Sequence, residues 1–201
     1  MQIRIGNDGT EIEGYVNAVG RESRVMRDKD GYFTETIQPG AFARALQRDG
    51  TRKMLLNHDA GRVLASEGEG LELREDAVGL FARATVDDEE VVEKARRREL
   101  RGWSFGFVPI KERFDERDGM RHRTVEDMRL FEVSVIDQRK MPAYAATSVL
   151  TRDMDGDEPP VEYRVMDMQD VEVEERDSGP EPPDLDGYRE RIRALEKQSG
   201  A

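Results

Sequence analysis

Three residues have side chains whose chemistry would combine if the fold united them: Ser104 in "GWSFGFVPI", His58 in "LLNHDAG" and Glu132 in "LFEVSVID". A serine hydroxyl is a poor nucleophile until a base removes its proton. An imidazole exchanges protons near neutral pH and can be that base. A carboxylate that accepts the proton on the far imidazole nitrogen fixes the tautomer and stabilises the imidazolium formed as the reaction proceeds. Each residue also has a plainer reading. His58 fits a surface histidine at a strand end, bonded through its own turn. Ser104 fits a solvent-facing serine. Glu132 fits a solvated strand face or a carboxylate paired with an arginine. Such triads have no universal chain spacing, so spacing leaves these alternatives open.

Other chemistries lack their residues. The chain has no cysteine, which excludes disulfides, thiol nucleophiles and thiolate metal sites. Its two histidines are too few for a histidine-rich metal centre. No P-loop, dinucleotide fingerprint or zinc-protease helix motif is present. "DMDGDE" lacks the ligand spacing of a calcium loop. No cofactor is expected. The second histidine, His122 in "DGMRHR", sits where a polar hairpin tip is expected and reads as exposed, so His58 is the preferred base.

The elements that must position these side chains read as mostly β up to about residue 150. From Trp103 the chain alternates: Trp103, Phe105 and Phe107 fall on one strand face, Ser104 and Gly106 on the other. In "RLFEVSVID", strict alternation puts Phe131, Val133 and Val135 on one face and Leu130, Glu132, Ser134 and Ile136 on the other. An acid among apolar residues is costly if buried unpaired. "KMLLNHD" reads as a short apolar strand ending at the polar triplet that holds His58. "GLELREDAVGLFARATV" reads as a hairpin turning near "REDAVG", and "AFARALQRDG" as a short helix. "DDEEVVEKARRREL" is the clearest helix, with acids in its first turn and bases in its last, as the macrodipole favours.

The chain has 201 residues, of which 36% are hydrophobic and 38% charged, a lean apolar content that leaves part of it outside a core. Of the net charge of −12, residues 151–201 hold −9 and residues 1–150 hold −3. Neither part has the basic excess that nucleic-acid binding requires. No apolar run approaches a membrane span and the N-terminus lacks a signal-peptide pattern, so a cytoplasmic, membrane-free protein is expected. Five of the eight prolines lie beyond Thr151 among acids, which reads as a flexible linker. Leu185, Tyr188, Ile192 and Leu195 then form a stripe at helical spacing. The expected organisation is a domain over 1–152, an acidic Pro-rich linker over 153–184 and a short amphipathic tail over 185–201.

In order, "EIEGYVNAVG", "ETIQPGAFARAL", "LLNHD", "LRGWSFGFVPI" and "LFEVSVIDQRKMPAY" resemble the prohead proteases of tailed bacteriophages, capsid-maturation serine proteases related to herpesvirus assemblin. The resemblance spans about Glu11 to Thr147 and leaves the acidic tail uncovered. It implies an α+β fold: a compact, mostly antiparallel β-barrel surrounded by short helices. It maps the nucleophile to Ser104, the base to His58 and the third member to Glu132, where the herpesvirus enzymes have a histidine. Those enzymes use an arginine segment downstream of the third member for the oxyanion, which makes Arg139 in "DQRKMP" a candidate donor beside the plainer reading of a surface arginine. Asn57 and Gly106 would help to shape the pocket.

The resemblance further implies substrates among the assembling phage proteins: the major capsid protein precursor, its scaffold and the protease itself. It implies a place in the host cytoplasm, inside the assembling prohead, and, by analogy with the herpesvirus dimers, a possible homodimer. The proline-rich linker suits autolysis, and the Leu185–Leu195 stripe suits docking on a capsid or scaffold helix or on its own domain. Two alternatives remain: a non-catalytic assembly scaffold with the same barrel, and a generic β-barrel binding module.

Overall fold

The computed structural model describes residues 1–6, 9–138, 150–152, 161–167 and 172–175. In chain order these form β1 (Gln2–Gly6), β2 (Gly9–Ala18), β3 (Met26–Asp28), β4 (Gly31–Ile37), α1 (Ala41–Leu46), β5 (Lys53–Leu56), β6 (Val63–Glu67), β7 (Gly70–Glu75) and β8 (Gly79–Val86). There follow α2 (Glu89–Arg96), β9 (Leu100–Arg117), β10 (Met120–Asp137), β11 (Leu150–Arg152), β12 (Val161–Asp167) and β13 (Glu172–Glu175). Among the described residues the fold is mostly β with two short helices, and the strands join in one mixed sheet ordered β11-β12-β9-β10-β5-β6-β7-β8-β2-β1-β13, with β4 branching off β10 and β3 pairing with β4.

The long hairpin of β9 and β10 is the spine. Its strands pair antiparallel along their length, while β10 also pairs in parallel with β4 through its first half and with β5 through its second. Sequence dictates which face of β9 is inside. Trp103, Phe105 and Phe107 are fully buried, and Phe42 of α1 meets Phe105 edge-on at 5.3 Å between ring centroids. Each such ring contributes roughly 1.5–3 kcal/mol by leaving water. Together they lock the strand so that Ser104 and Gly106 face the other way.

Strict alternation fails on β10. A bulge between Leu130 and Glu132 shifts the register, so Leu130 pairs with Phe107 and Glu132 with Gly106. The extra residue, Phe131, moves Leu130 to the core face beside Val133 and Val135, whereas alternation grouped it with Glu132. The bulge thus keeps the apolar side chains in the core and leaves Glu132 and Ser134 on the face of Ser104.

The helices have external supports. Asp88 caps α2 by accepting from the Val91 amide at 3.0 Å, with Glu89 and Glu90 in the first turn and Lys94 and Arg96 in the last. Helix α1 has no side-chain cap of its own. Glu75, from β7, accepts there from the amides of Gly40 and Ala43, both at 2.6 Å.

One expectation is corrected. His122 is not exposed at a hairpin tip: it lies within β10, only 2% exposed, because β4 and β9 flank it and the turn lies before it, at Asp118 and Gly119. Its Nδ1 lies 2.9 Å from Thr34 Oγ1 and 2.8 Å from Glu22 Oε1. Within the stretch read as linker, residues 161–167 and 172–175 are strands, with β12 pairing antiparallel to β9 and β13 parallel to β1. The β-forming run "VEYRV" sits among acids and prolines whose composition obscured it. The Leu185–Leu195 stripe and Arg139 lie outside the described residues.

Candidate active site

β5 ends at Leu56 and the chain turns through Asn57 and His58, at φ 58° and 60°. Asn and His tolerate this left-handed region better than most residues, yet each pays about 1–2 kcal/mol there. Hydrogen bonds to β10 offset that strain. The Asn57 amide donates to the Val135 carbonyl at 2.9 Å, and Asn57 Oδ1 accepts from the Asp137 amide at 3.0 Å. The His58 amide donates to Ser134 Oγ at 3.2 Å. The turn is thereby fastened to β10, with the imidazole held over Glu132.

His58 Nδ1 lies 2.6 Å from Glu132 Oε1, and the two side chains are only 13% and 9% exposed. Ser134 Oγ donates to the other oxygen, Oε2, at 2.5 Å. With Glu132 as a carboxylate, which only accepts, and a neutral imidazole, this contact selects the tautomer with the proton on Nδ1 and the lone pair on Nε2. Nε2 is buried and has no hydrogen-bond partner among the described residues.

Ser104 is fully buried, directly across the β9–β10 ladder from Ser134. Opposed residues in such a ladder place their Cβ atoms about 4.5–5.5 Å apart on one face. Ser104 Oγ likewise has no hydrogen-bond partner among the described residues. The structure therefore joins His58 to Glu132 directly. It places Ser104 on the same sheet face as Glu132 through Ser134, without a hydrogen bond between Ser104 and His58. Two unsatisfied buried atoms, a hydroxyl and an imidazole lone pair, are complementary donor and acceptor. The plainer readings fit poorly: Ser104 is not solvent-facing, and the partners of Glu132 are a histidine and a serine.

Gly106 lies between Glu132 on β10 and Tyr163 on β12. A Cβ here would stand 2.8 Å from both Glu132 Oε1 and Tyr163 Cε1. The Tyr163 ring packs on the His58 ring, with centroids 4.2 Å apart and planes at 56°. Sequence reasoning put Ser134 on the face of Glu132 but gave it no role, and it missed Tyr163. For Ser134 the available signal was its two-residue offset from Glu132; for Tyr163, the alternation of Val161, Tyr163 and Val165.

Just beyond the site, Asp137 pairs with the buried ammonium of Lys94 on α2, which also meets Glu90 at 3.0 Å. Burial alone would push the Lys94 amine down, but the two carboxylates outweigh it and raise its pKa above the usual value. This charge pair ties α2 to the end of the strand carrying Glu132 and Ser134. Among the described residues, no group of three or more His, Asp or Glu side chains is arranged to hold a metal ion, and no helix is long and apolar enough to cross a membrane.

A buried serine on the same sheet face as a histidine-bound carboxylate suits a serine hydrolase, and comparison with known families makes the assignment specific. Residues 1–159 match the Caudovirus prohead serine protease family. The chain belongs to that family: it is a phage serine protease of capsid maturation, which acts among capsid and scaffold proteins. No curated protein and no solved structure matches the chain at a significant level.

Proposed function

We propose that Ser104, His58 and Glu132 form the catalytic set of this protease, and that it cleaves scaffold segments and the major capsid protein precursor inside the assembling prohead. The observation carrying this reading is the 2.6 Å contact of His58 Nδ1 with Glu132, whose sheet face also bears Ser104; among the described residues His58 Nε2 and the Ser104 hydroxyl are both buried without a partner.

The reaction requires the Ser104 hydroxyl to reach Nε2 when substrate enters; catalytic hydrogen bonds often tighten only in the substrate complex. The Ser104 proton passes to Nε2 as Oγ bonds to the scissile carbonyl carbon. His58 then gives that proton to the leaving amine, and the C–N bond breaks. Water then loses a proton to His58 Nε2 as its oxygen bonds to the acyl carbon; the bond to Ser104 Oγ breaks and Oγ takes that proton back, releasing the new carboxyl end. Glu132 holds the ring and stabilises the imidazolium in both halves. Ser134 fixes the second carboxylate oxygen, so the carboxylate cannot rotate away. Arg139 is the proposed oxyanion donor, by resemblance to the herpesvirus enzymes; a homodimer rests on the same resemblance. The sheet is proposed to close as a barrel, supported by Gly14 of β2, where a Cβ would stand 3.0 Å from the Trp103 indole nitrogen of β9.

The test is co-expression of the chain with its capsid precursor, read by intact mass. Ser104→Ala should abolish precursor processing, a loss on the order of 10⁴-fold or more in turnover, while the thermal midpoint stays near the parent value. Unchanged processing by Ser104→Ala would remove the nucleophile assignment.

A further inference from the structure

We infer that β12 is an internal strap: it occupies the edge of β9 along which a substrate strand would lie, and it covers His58 through Tyr163. The inference rests on the catalytic assignment of Ser104 and His58. Peptides bind commonly by adding a strand to an exposed sheet edge. β9 is paired with β10 on one side; its other side, from Gly102 to Phe107, is the edge nearest Ser104. β12 fills that edge antiparallel, with Val165 opposite Ser104 and Tyr163 opposite Gly106. Any polypeptide strand pairing with this part of β9 must first displace it.

The strap's two faces have different tasks. One face sets Tyr163 on the His58 ring, 4.2 Å between centroids. The other carries Glu162 and Arg164 into a charge clamp. Arg164 grips Glu35 of β4 with two hydrogen bonds of 2.7 and 2.8 Å, and Arg123 of β10 grips Glu162 with two of 2.6 and 2.9 Å. Paired forks of this kind are strong and directional. They are also all-or-none, because a buried charge stripped of its partner is costly. Such a contact has two well-defined states, docked and released. The family match ends at residue 159 and β12 begins at Val161, so the strap lies outside the part the family defines. A strap carried on the same chain would hold the site closed until a substrate strand displaces it.

The test uses the full chain as parent, Tyr163→Ala and Tyr163→Phe, with two readouts. The first is the rate at which diethyl pyrocarbonate modifies His58, measured peptide by peptide, with buried His122 as the internal control for unfolding. The second is the rate at which a fluorophosphonate probe labels Ser104. Tyr163→Ala should raise the His58 rate about tenfold, the gain expected when a site open about a tenth of the time becomes fully open. Ser104 labelling should rise in parallel, His122 should stay unchanged, and Tyr163→Phe should behave as the parent because it keeps the ring. Equal His58 rates in parent and Tyr163→Ala would overturn the strap whether or not Ser104 reacts. A His58 rate that rises only together with that of His122 would overturn it too, as general loosening. A selective rise at His58 with Ser104 inert in every variant would uphold the cover and remove the nucleophile instead.

Discussion

Ser134 and His58 share one carboxylate: Ser134 Oγ donates to Glu132 Oε2 at 2.5 Å while His58 Nδ1 meets Oε1 at 2.6 Å. The two contacts make different demands on Glu132. The imidazole needs a negative charge that survives its own protonation. The serine needs only an acceptor, and it adds a second fastening by receiving the His58 amide. Glu132→Gln keeps the shape but removes the charge, and its amide can force the wrong histidine tautomer. Its kcat should fall by about 10³–10⁴. Ser134→Ala removes one donor and one acceptor but no charge. It should lower kcat by only about tenfold, with a stability loss of about 1–2 kcal/mol. Steady-state assays on a precursor-derived peptide, with urea unfolding alongside, separate the two. Full activity in Glu132→Gln would end its orienting role.

Gly106 is the floor on which two side chains meet. A methyl there would stand 2.8 Å from both the Glu132 carboxylate and the Tyr163 ring, closer than side-chain carbons approach such atoms. One of them must move. The carboxylate is held by two hydrogen bonds, while the ring sits on the shorter β12. Gly106→Ala should therefore displace Tyr163 first, costing about 1–3 kcal/mol of stability. If β12 yields, the His58 modification rate should rise as in Tyr163→Ala. If Glu132 yields, activity should fall toward that of Glu132→Gln. Parent behaviour in stability and in both rates would show that neither side chain crowds Gly106 in solution.

How much of this was legible beforehand follows from the range over which each feature is determined. The orientation of Ser104 could be read locally, since three aromatics at period two leave only one face for the core. The ends of α2 were legible for the same reason: acids, bases and cap lie within one segment. The hairpin of β7 and β8 was likewise visible, with its turn at Asp76–Val78. The meeting of His58 with Glu132, 74 residues apart, was not local; the resemblance supplied it, and residue types alone left it open. The bulge at Phe131 was invisible because alternation assumes an unbroken ladder. The burial of His122 was hidden by the polarity of the run around it, which suggests exposure although β4 and β9 enclose it. β12 was masked by composition: prolines and acids nearby outweighed three alternating β-formers.

The charge clamp under β12 has a definite pH signature. Burial by itself would push the Glu162 carboxyl up, but hydrogen bonds from Arg123 and the nearby charge of Arg164 more than reverse it and hold it below 4.5. Glu35 meets both guanidiniums and Glu112 meets that of Arg123, and both arginines stay charged, their pKa values raised despite burial. A carboxyl whose pKa is lower folded than unfolded stabilises the fold above its unfolded value. That contribution is complete above about 4.5 and is lost as pH falls through the depressed folded value. The difference in urea midpoint between the parent and Glu162→Gln should therefore be constant from neutral pH down to about pH 5, then shrink steadily in more acid solution. Because the pair is largely buried, moderate salt should change that difference little. A difference that grew on acidification would mean that Glu162 is not held as a carboxylate by these arginines, and the clamp would lose its chemical basis.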